Sequence, residues 1–373
     1  MNITGLEQRL QDELDTLVEK NADVFNPVLG ISTRSGDFNW RGAAGIAYAG
    51  EAIPMEVNTP IFIASITKMY TAGAILILVE RDLLSLSDPL SKYLPESLIS
   101  GLHKFRGHDY SQQLTIYHLI SQTSGLPDYF MGRPRGGESV LDRLVSDGDF
   151  GWDIDQVVEI TKNSLEPKFP PEAENEIHTS KQAFYSDTNY QLLGAILESV
   201  LMRPLHEIYS ELITEPLQLS STYLHGYGDP EAPAPANIYY KNVPFCLDKA
   251  FTSFGPDGGI VSTIDDSLNF LRAYLEGRLF ENPGTLERIM NWKKIFFPLQ
   301  YGLGLMRIKM PRIFSPFTAS PELIGHSGAT SAFLFQSDQG GILIGGTLNQ
   351  VDNQARPVRL MLKLVNLVNQ TQF

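Results

Sequence analysis

The stretch FIASITKMYTAGAILILVE, Phe62 to Glu80, constrains the fold of this chain more than any other. From residue 66 to 80 it is apolar on nearly every side. A helix at the surface keeps a polar face toward water, and one without such a face has to be enclosed all round. Enclosing it takes a large core. With 373 residues, 43% of them hydrophobic and 19% charged, the chain has the apolar mass for one large domain or two of ordinary size. One ion interrupts the run, Lys68 near its start, three residues after Ser65.

A Ser-x-x-Lys pair says little by itself. With 28 serines and 13 lysines such a pair should arise about once at random, and it occurs once. The plain reading makes Ser65 a helix N-cap and lets Lys68 snorkel to solvent. The chemical reading starts from position. Pro60 precedes closely and the helical run begins at about the serine, where free backbone N–H groups and the positive end of the helix dipole converge. Those groups stabilise the oxyanion formed when serine attacks a carbonyl. Lys68, one turn on, shares the face of Ser65. If burial lowers its pKa, it can take the serine proton.

The rest of the chain frames that helix. Residues 4–20 read as an amphipathic helix through Leu6, Leu10, Leu14, Leu17 and Val18. Pro27 to Gly45 reads as a hairpin turning at Ser35-Gly36. Helical patterns at 115–122, 153–163, 189–201 and 204–213 alternate with Pro- and Gly-containing loops, the clearest at Gly226 to Tyr240. Helices at 265–276 and 284–291 lead into strand signals at 301–310, 331–338 and 341–349, the last two joined at Gln339-Gly340. A helix from Pro357 to Asn369 follows. Strands at both ends with helices between point to an antiparallel sheet with helices on it, an α+β fold. The expected organisation is a sheet domain of residues 1–85 plus 251–373 and a mostly helical insertion, 86–250, with the active site in the cleft between them.

Several functions are disfavoured. The formal net charge of −14 opposes binding to nucleic acid or to an anionic membrane surface. One cysteine, Cys246, allows neither an intrachain disulfide nor a cysteine zinc site. His103 and His108 are too loosely spaced for a helical metal pair, and His-Glu-x-x-His does not occur, so no metal is expected. The amphipathic N-terminus lacks a secretory pattern, and no run reaches the roughly 18 apolar residues of a membrane span. A cytoplasmic protein is the expectation. The GHSGAT stretch is not a Gly-x-Ser-x-Gly elbow, because the second glycine comes one position early and a strand follows. Acidic residues between Asp147 and Asp155 read as solvated loop, and Trp40, Trp152 and Trp292 as packing.

Two later stretches change the weight of Ser65. In FYSDTNYQLLGAILE, Tyr185 and Asp187 precede a strongly periodic helix. In LIGHSGATSAFLF, His326, Ser327 and Gly328 precede a strand. With Ser-x-x-Lys they form three motifs in order, and the chain resembles the serine hydrolases of β-lactamase and penicillin-binding-protein type. The resemblance is to the branch with class C β-lactamases, D-alanyl-D-alanine carboxypeptidases, D-aminopeptidases and carboxylesterases. His118 to Phe130, Gly255 to Phe270 and the YGLGL stretch at 301–305 resemble further family segments, so the likeness spans roughly residues 25 to 350.

The resemblance implies a β-lactamase/transpeptidase-like fold and an acylation–deacylation cycle on an ester or amide, with no cofactor. Ser65 would be the nucleophile, Lys68 and Tyr185 would share general acid–base work, and the N–H groups of Ser65 and Ala329 would form the oxyanion hole. Asp187, His326, Ser327 and Gly328 would face substrate. Two departures shape the expected substrate, a small ester or a short peptide or amide. His326 stands where β-lactamases carry a lysine suited to a substrate carboxylate, which favours an esterase or a D-amino-acid-type peptidase over a β-lactamase or DD-carboxypeptidase. Asp187 stands where asparagine is usual, and it could hydrogen-bond Lys68, raise the lysine pKa and hand more of the base role to Tyr185. A relative that binds peptide or β-lactam without turnover is the alternative outside catalysis.

Overall fold

The structure, a computed structural model, describes residues 2–172, 182–309 and 321–371. Its centre is an eight-stranded sheet. In chain order the strands are β1 (Val28–Thr33), β2 (Asn39–Ala43), β3 (Lys293–Phe296), β4 (Leu299–Tyr301), β5 (Met306–Ile308), β6 (Leu323–Ser327), β7 (Phe333–Ser337) and β8 (Ile342–Thr347). Their spatial order is β3-β4-β5-β6-β7-β8-β1-β2, and every neighbour is antiparallel. Hairpins supply most of these contacts, while the β1–β8 pairing, with Val28 opposite Thr347, joins the two ends of the chain.

Helix α1 (Ile3–Lys20) and the last helix lie on one side of the sheet, against β2 and β8. The α1 residues Leu6, Leu10 and Leu14 are buried, the stripe their spacing demands. The helix read at 66–80 is α2 (Thr67–Glu80), and every residue from Thr67 to Leu78 is buried. Helices α3 (Asp187–Leu201) and α4 (Asp248–Gly258) pack against it, and α5 (Ile264–Leu275), which lies on β1, β7 and β8 of the sheet, meets it at Tyr70. The Tyr70 ring of α2 stacks on Phe270 of α5 at 3.7 Å between centroids. The α+β architecture expected from the ordering of strands and helices is the observed one.

Some local elements differ from the periodicity. The β-rich run at 301–310 is split, because the chain turns between Tyr301 and Met306; its last residue, Met310, lies outside the described residues. Gly304 makes that turn with φ +80°, and a Cβ there would lie 2.2 Å from Ala72 Cβ, so only glycine lets the turn press on α2. Strand β3 and helix α4 carried no sequence signal strong enough to read. Helix α4 contains Pro256 and a non-helical Gly255, which hide its period. Among the described residues no helix is long and apolar enough to cross a membrane.

Candidate active site

The approach to Ser65 is set by a short antiparallel pairing, Ile61 with Ser262 and Phe62 with Val261. The backbone then turns at Ala64, whose φ of +47° is unusual for a residue with a Cβ. A single 3-10 turn, Ala64–Ile66, leads into α2. Ser65 therefore stands half-buried at the N-terminal end of the central helix. It is not a cap: Ile63 and Ile66 hold the cap positions, and neither turn nor helix has a side-chain cap bond. Lys68 does not snorkel either, being 0% exposed. The plain reading of the pair fails on both counts.

Lys68 Nζ donates to Ser65 Oγ at 3.1 Å and to the Asp257 carbonyl at 2.6 Å. Its third neighbour is Asp187 Oδ1, at 2.8 Å. The rings of Tyr185 and Tyr190 complete the enclosure, 5.3 and 5.6 Å from the nitrogen. Burial works to lower the Lys68 pKa, but the charges of Asp187 and Asp257 outweigh it and the net direction is up. An ammonium is the resting form.

Tyr185 leads into α3 and faces Ser65. Burial and the charge of Asp187 push its phenol well above the ordinary value, while the hydrogen bond it shares with Ser65 acts the other way. Asp187 thus raises both Lys68 and Tyr185. The expected rise at Lys68 is present, and Tyr185 rises with it.

The third motif ends β6. His326 is 0% exposed and lies behind the site. Its Nδ1 is 2.7 Å from the Ser327 carbonyl, which can only accept, so Nδ1 carries the proton. Nε2 faces the Tyr301 hydroxyl at 3.3 Å, and that hydroxyl is also 3.0 Å from Tyr190 Oη. Burial and the Lys68 charge push the His326 pKa down to about 3, so the ring is neutral. Tyr301 in turn packs edge-on against Tyr185, centroids 5.8 Å apart. His326 therefore reaches Tyr185 through Tyr301.

Gly328 is where the end of β6 meets the Ser65 turn. A Cβ there would lie 2.6 Å from the Ile63 carbonyl, 2.9 Å from Ala64 Cβ and 3.2 Å from Ser65 N. Only a glycine admits that approach, which brings the backbone of Ala329 and of Ser65 to one cavity. Thr330 ties the same loop down by donating to the Phe62 carbonyl at 3.1 Å.

The cavity is about 380 Å³. Ser65, Tyr185, Asp187, Ser327, Gly328 and Ala329 line it; Lys68 and His326 do not. Most of its wall is apolar and aromatic, with Phe130, Ile238, Leu247, Phe251, Phe254 and Met306 among the lining residues. Trp152 backs this wall, packing edge-on against Phe254 at 5.1 Å. Two further lining residues were not singled out in the sequence, Asp128 and Asp257. Their only signal was membership of the SGLPDYF and GPDGG stretches. Asp257 Oδ2 accepts from Tyr129 Oη and Gln191 Nε2, each at 3.0 Å, and Asp128 Oδ1 accepts from Phe130 N at 2.9 Å. Such a site can activate a serine hydroxyl beside two backbone donors in a largely apolar pocket, the elements of acyl transfer.

Comparison with known proteins follows the same lines. The sequence model of the beta-lactamase family matches residues 31–365. Esterase EstB of Burkholderia gladioli is 32% identical over 192 residues, covering 51% of this chain and 44% of that protein. Penicillin-binding protein 4* of Bacillus subtilis (strain 168) is 28% identical over 200 residues, 51% of this chain and 36% of that protein. The chain thus spans less than half the length of these two curated relatives. A D-stereospecific amidohydrolase from Streptomyces sp. superposes with a TM-score of 0.70 at 26% identity, covering 95% of this chain and 97% of that one.

Proposed function

The chain belongs to the beta-lactamase family, and from that premise we propose that it is a serine hydrolase cleaving an ester or amide through an acyl-enzyme on Ser65, most readily as an esterase or a D-amino-acid-type amidase. The observation that carries this reading is the 3.1 Å contact of Lys68 Nζ with Ser65 Oγ at the edge of an apolar cavity. The esterase and the D-stereospecific amidohydrolase among its relatives support the same substrate classes.

In this reading Ser65 Oγ bonds to the substrate carbonyl carbon, and the π pair moves onto the oxygen. The N–H groups of Ser65 and Ala329 hold that oxyanion. Once Lys68 or Tyr185 has released its own proton to solvent, it takes the serine proton and the pair delivers it to the departing alcohol or amine; water, giving up its proton along the same route, then releases the acyl group. Asp187, Ser327 and Gly328 border the substrate; His326 keeps Tyr301 and so Tyr185 in place. The cavity wall draws on both expected units, Phe130, Tyr185 and Asp187 from 86–250 and Ser65, Ser327 and Gly328 from 1–85 with 251–373, while the 250/251 boundary falls inside helix α4.

The test is turnover of p-nitrophenyl acetate and butyrate, nitrocefin and D-alanyl p-nitroanilide by wild type and Ser65→Ala. Hydrolysis of an ester or the anilide that disappears in Ser65→Ala is expected. Turnover of nitrocefin alone would favour a β-lactamase, and no turnover of any of the four would favour a relative that binds without catalysis.

A further inference from the structure

We infer that Asp128, together with Asp187 and Asp257, makes the cavity a filter on charge, selecting an apolar ester or amide that carries an ammonium group near the scissile carbonyl and turning away one that carries a carboxylate there. This rests on Ser65 being the nucleophile of the cavity.

Two observations carry it. The first is the composition of the wall. Tyr185 apart, the ionisable side chains among the described residues lining the cavity are Asp128, Asp187 and Asp257, with no lysine, arginine or histidine. An anionic substrate would meet carboxylates with no cation to receive it. Like charges brought together in a desolvated pocket cost several kcal/mol, which is how a site rejects a wrong ligand.

The second is that the one ammonium nearby is already engaged. Lys68 lies beneath the wall, between Asp187 Oδ1 at 2.8 Å and the Asp257 carbonyl at 2.6 Å. Asp128 is 7% exposed, and its Oδ1 accepts from Phe130 N and Met131 N, at 2.9 and 3.4 Å. Burial and the charge of Asp187 push the Asp128 carboxyl up to about 7 against the pull of those bonds and of Lys68. Burial and the charge of Asp187 also raise Asp257 well above its ordinary value, so both carboxyls lack a counter-ion of their own and face a space walled by phenylalanines, where an entering ammonium would favour their charged forms. A substrate ammonium would supply the missing charge while its apolar body fills the rest.

The groove on the far side of Asp128 does not supply it. Arg133 there is paired with Asp142 at 2.8 Å, Arg135 lies 3.8 Å from Glu166, and Lys168 lies over the Phe184 ring at 5.2 Å. The filter separates the carboxylate-bearing substrates of carboxypeptidases and lactamases from amine-bearing apolar esters and amides, a choice the Ser65–Lys68 geometry leaves open.

Binding of three matched ligands at pH 8, measured by calorimetric titration, tests this without turnover: phenethylamine, 3-phenylpropionate and neutral 3-phenylpropanol. Wild type should bind the amine about tenfold or more tighter than the acid. In Asp128→Asn that ratio should fall at least about threefold while the alcohol binds as before, which also shows the variant folded. An acid that binds as tightly as the amine, no detectable binding of the amine, or an unchanged ratio in Asp128→Asn would each overturn the inference. Hydrolysis of p-nitrophenyl butyrate by wild type and Ser65→Ala decides the nucleophile separately, so either idea can fail alone.

Discussion

The Lys68 ammonium, wholly buried, lies 2.8 Å from the Asp187 carboxylate. An asparagine at 187 would hydrogen-bond a neutral amine or an ammonium; the aspartate favours the ammonium. Its charge also raises the Tyr185 phenol. A single carboxylate therefore opposes proton loss from both groups able to serve as the base, and the resting site keeps both protons.

Asp187→Asn removes that charge, so the pKa values of Lys68 and Tyr185 both fall. The base becomes available at lower pH. The acid limb of the pH profile of kcat/KM should move down by about one unit or more, read with whichever ester or anilide turns over. An unchanged midpoint would show that Asp187 does not set the base.

Lys68→Met leaves the Asp187 carboxylate buried without its cation. Breaking a buried pair from one side costs about 3–5 kcal/mol. Urea unfolding at pH 8 should show a loss of that order together with loss of turnover. Stability equal to wild type at pH 8 would mean the pair is not holding the site together.

Gly328→Ala places a methyl 2.6 Å from the Ile63 carbonyl and 3.2 Å from Ser65 N. Strand β6 has to retreat from the nucleophile turn, taking the Ala329 N–H with it. Displacing one such donor costs about 10²-fold to 10³-fold in kcat. The expectation is a loss of that size with far-UV circular dichroism close to wild type and stability lowered by about 1–3 kcal/mol; full activity would remove Ala329 from the oxyanion site.

His326 is neutral in the folded chain with a pKa of about 3, against about 6.5 when unfolded. Below pH 6.5 the unfolded state binds the extra proton, so this histidine contributes stability that is lost as pH falls from about 6.5 toward 3. Asp128 and Asp257 are raised and act in the opposite sense, so the effect has to be read by difference. Between pH 6.5 and pH 5 the wild type should lose about 2 kcal/mol more than His326→Gln in urea titrations. Parallel curves for the two proteins would place His326 outside the buried network.

Local sequence determined a great deal here. An apolar run without a polar face can only be a central helix, and the α1 stripe and the β1–β2 hairpin follow from spacing over a few residues. The order of the three motifs, read as a resemblance, pointed to Ser65, Lys68 and Tyr185 before any geometry was known. Helix α4 escaped because Gly255 and Pro256 break the very period that would announce it, and β3 because four residues are too few to show alternation.

What only the tertiary structure decided is the environment of those groups. Lys68 bonds the carbonyl of Asp257, 189 positions away, and sits against Asp187 from a third segment. His326 reaches the Tyr301 hydroxyl across a sheet rather than a substrate. Asp128 becomes a wall of the cavity only because its loop packs beside α3 and α4. Burial and charge act through space, and a sequence pattern carries only neighbours within a helical turn or a strand. The candidate groups were therefore legible in the chain, while their protonation and the charge of what they face were set by packing.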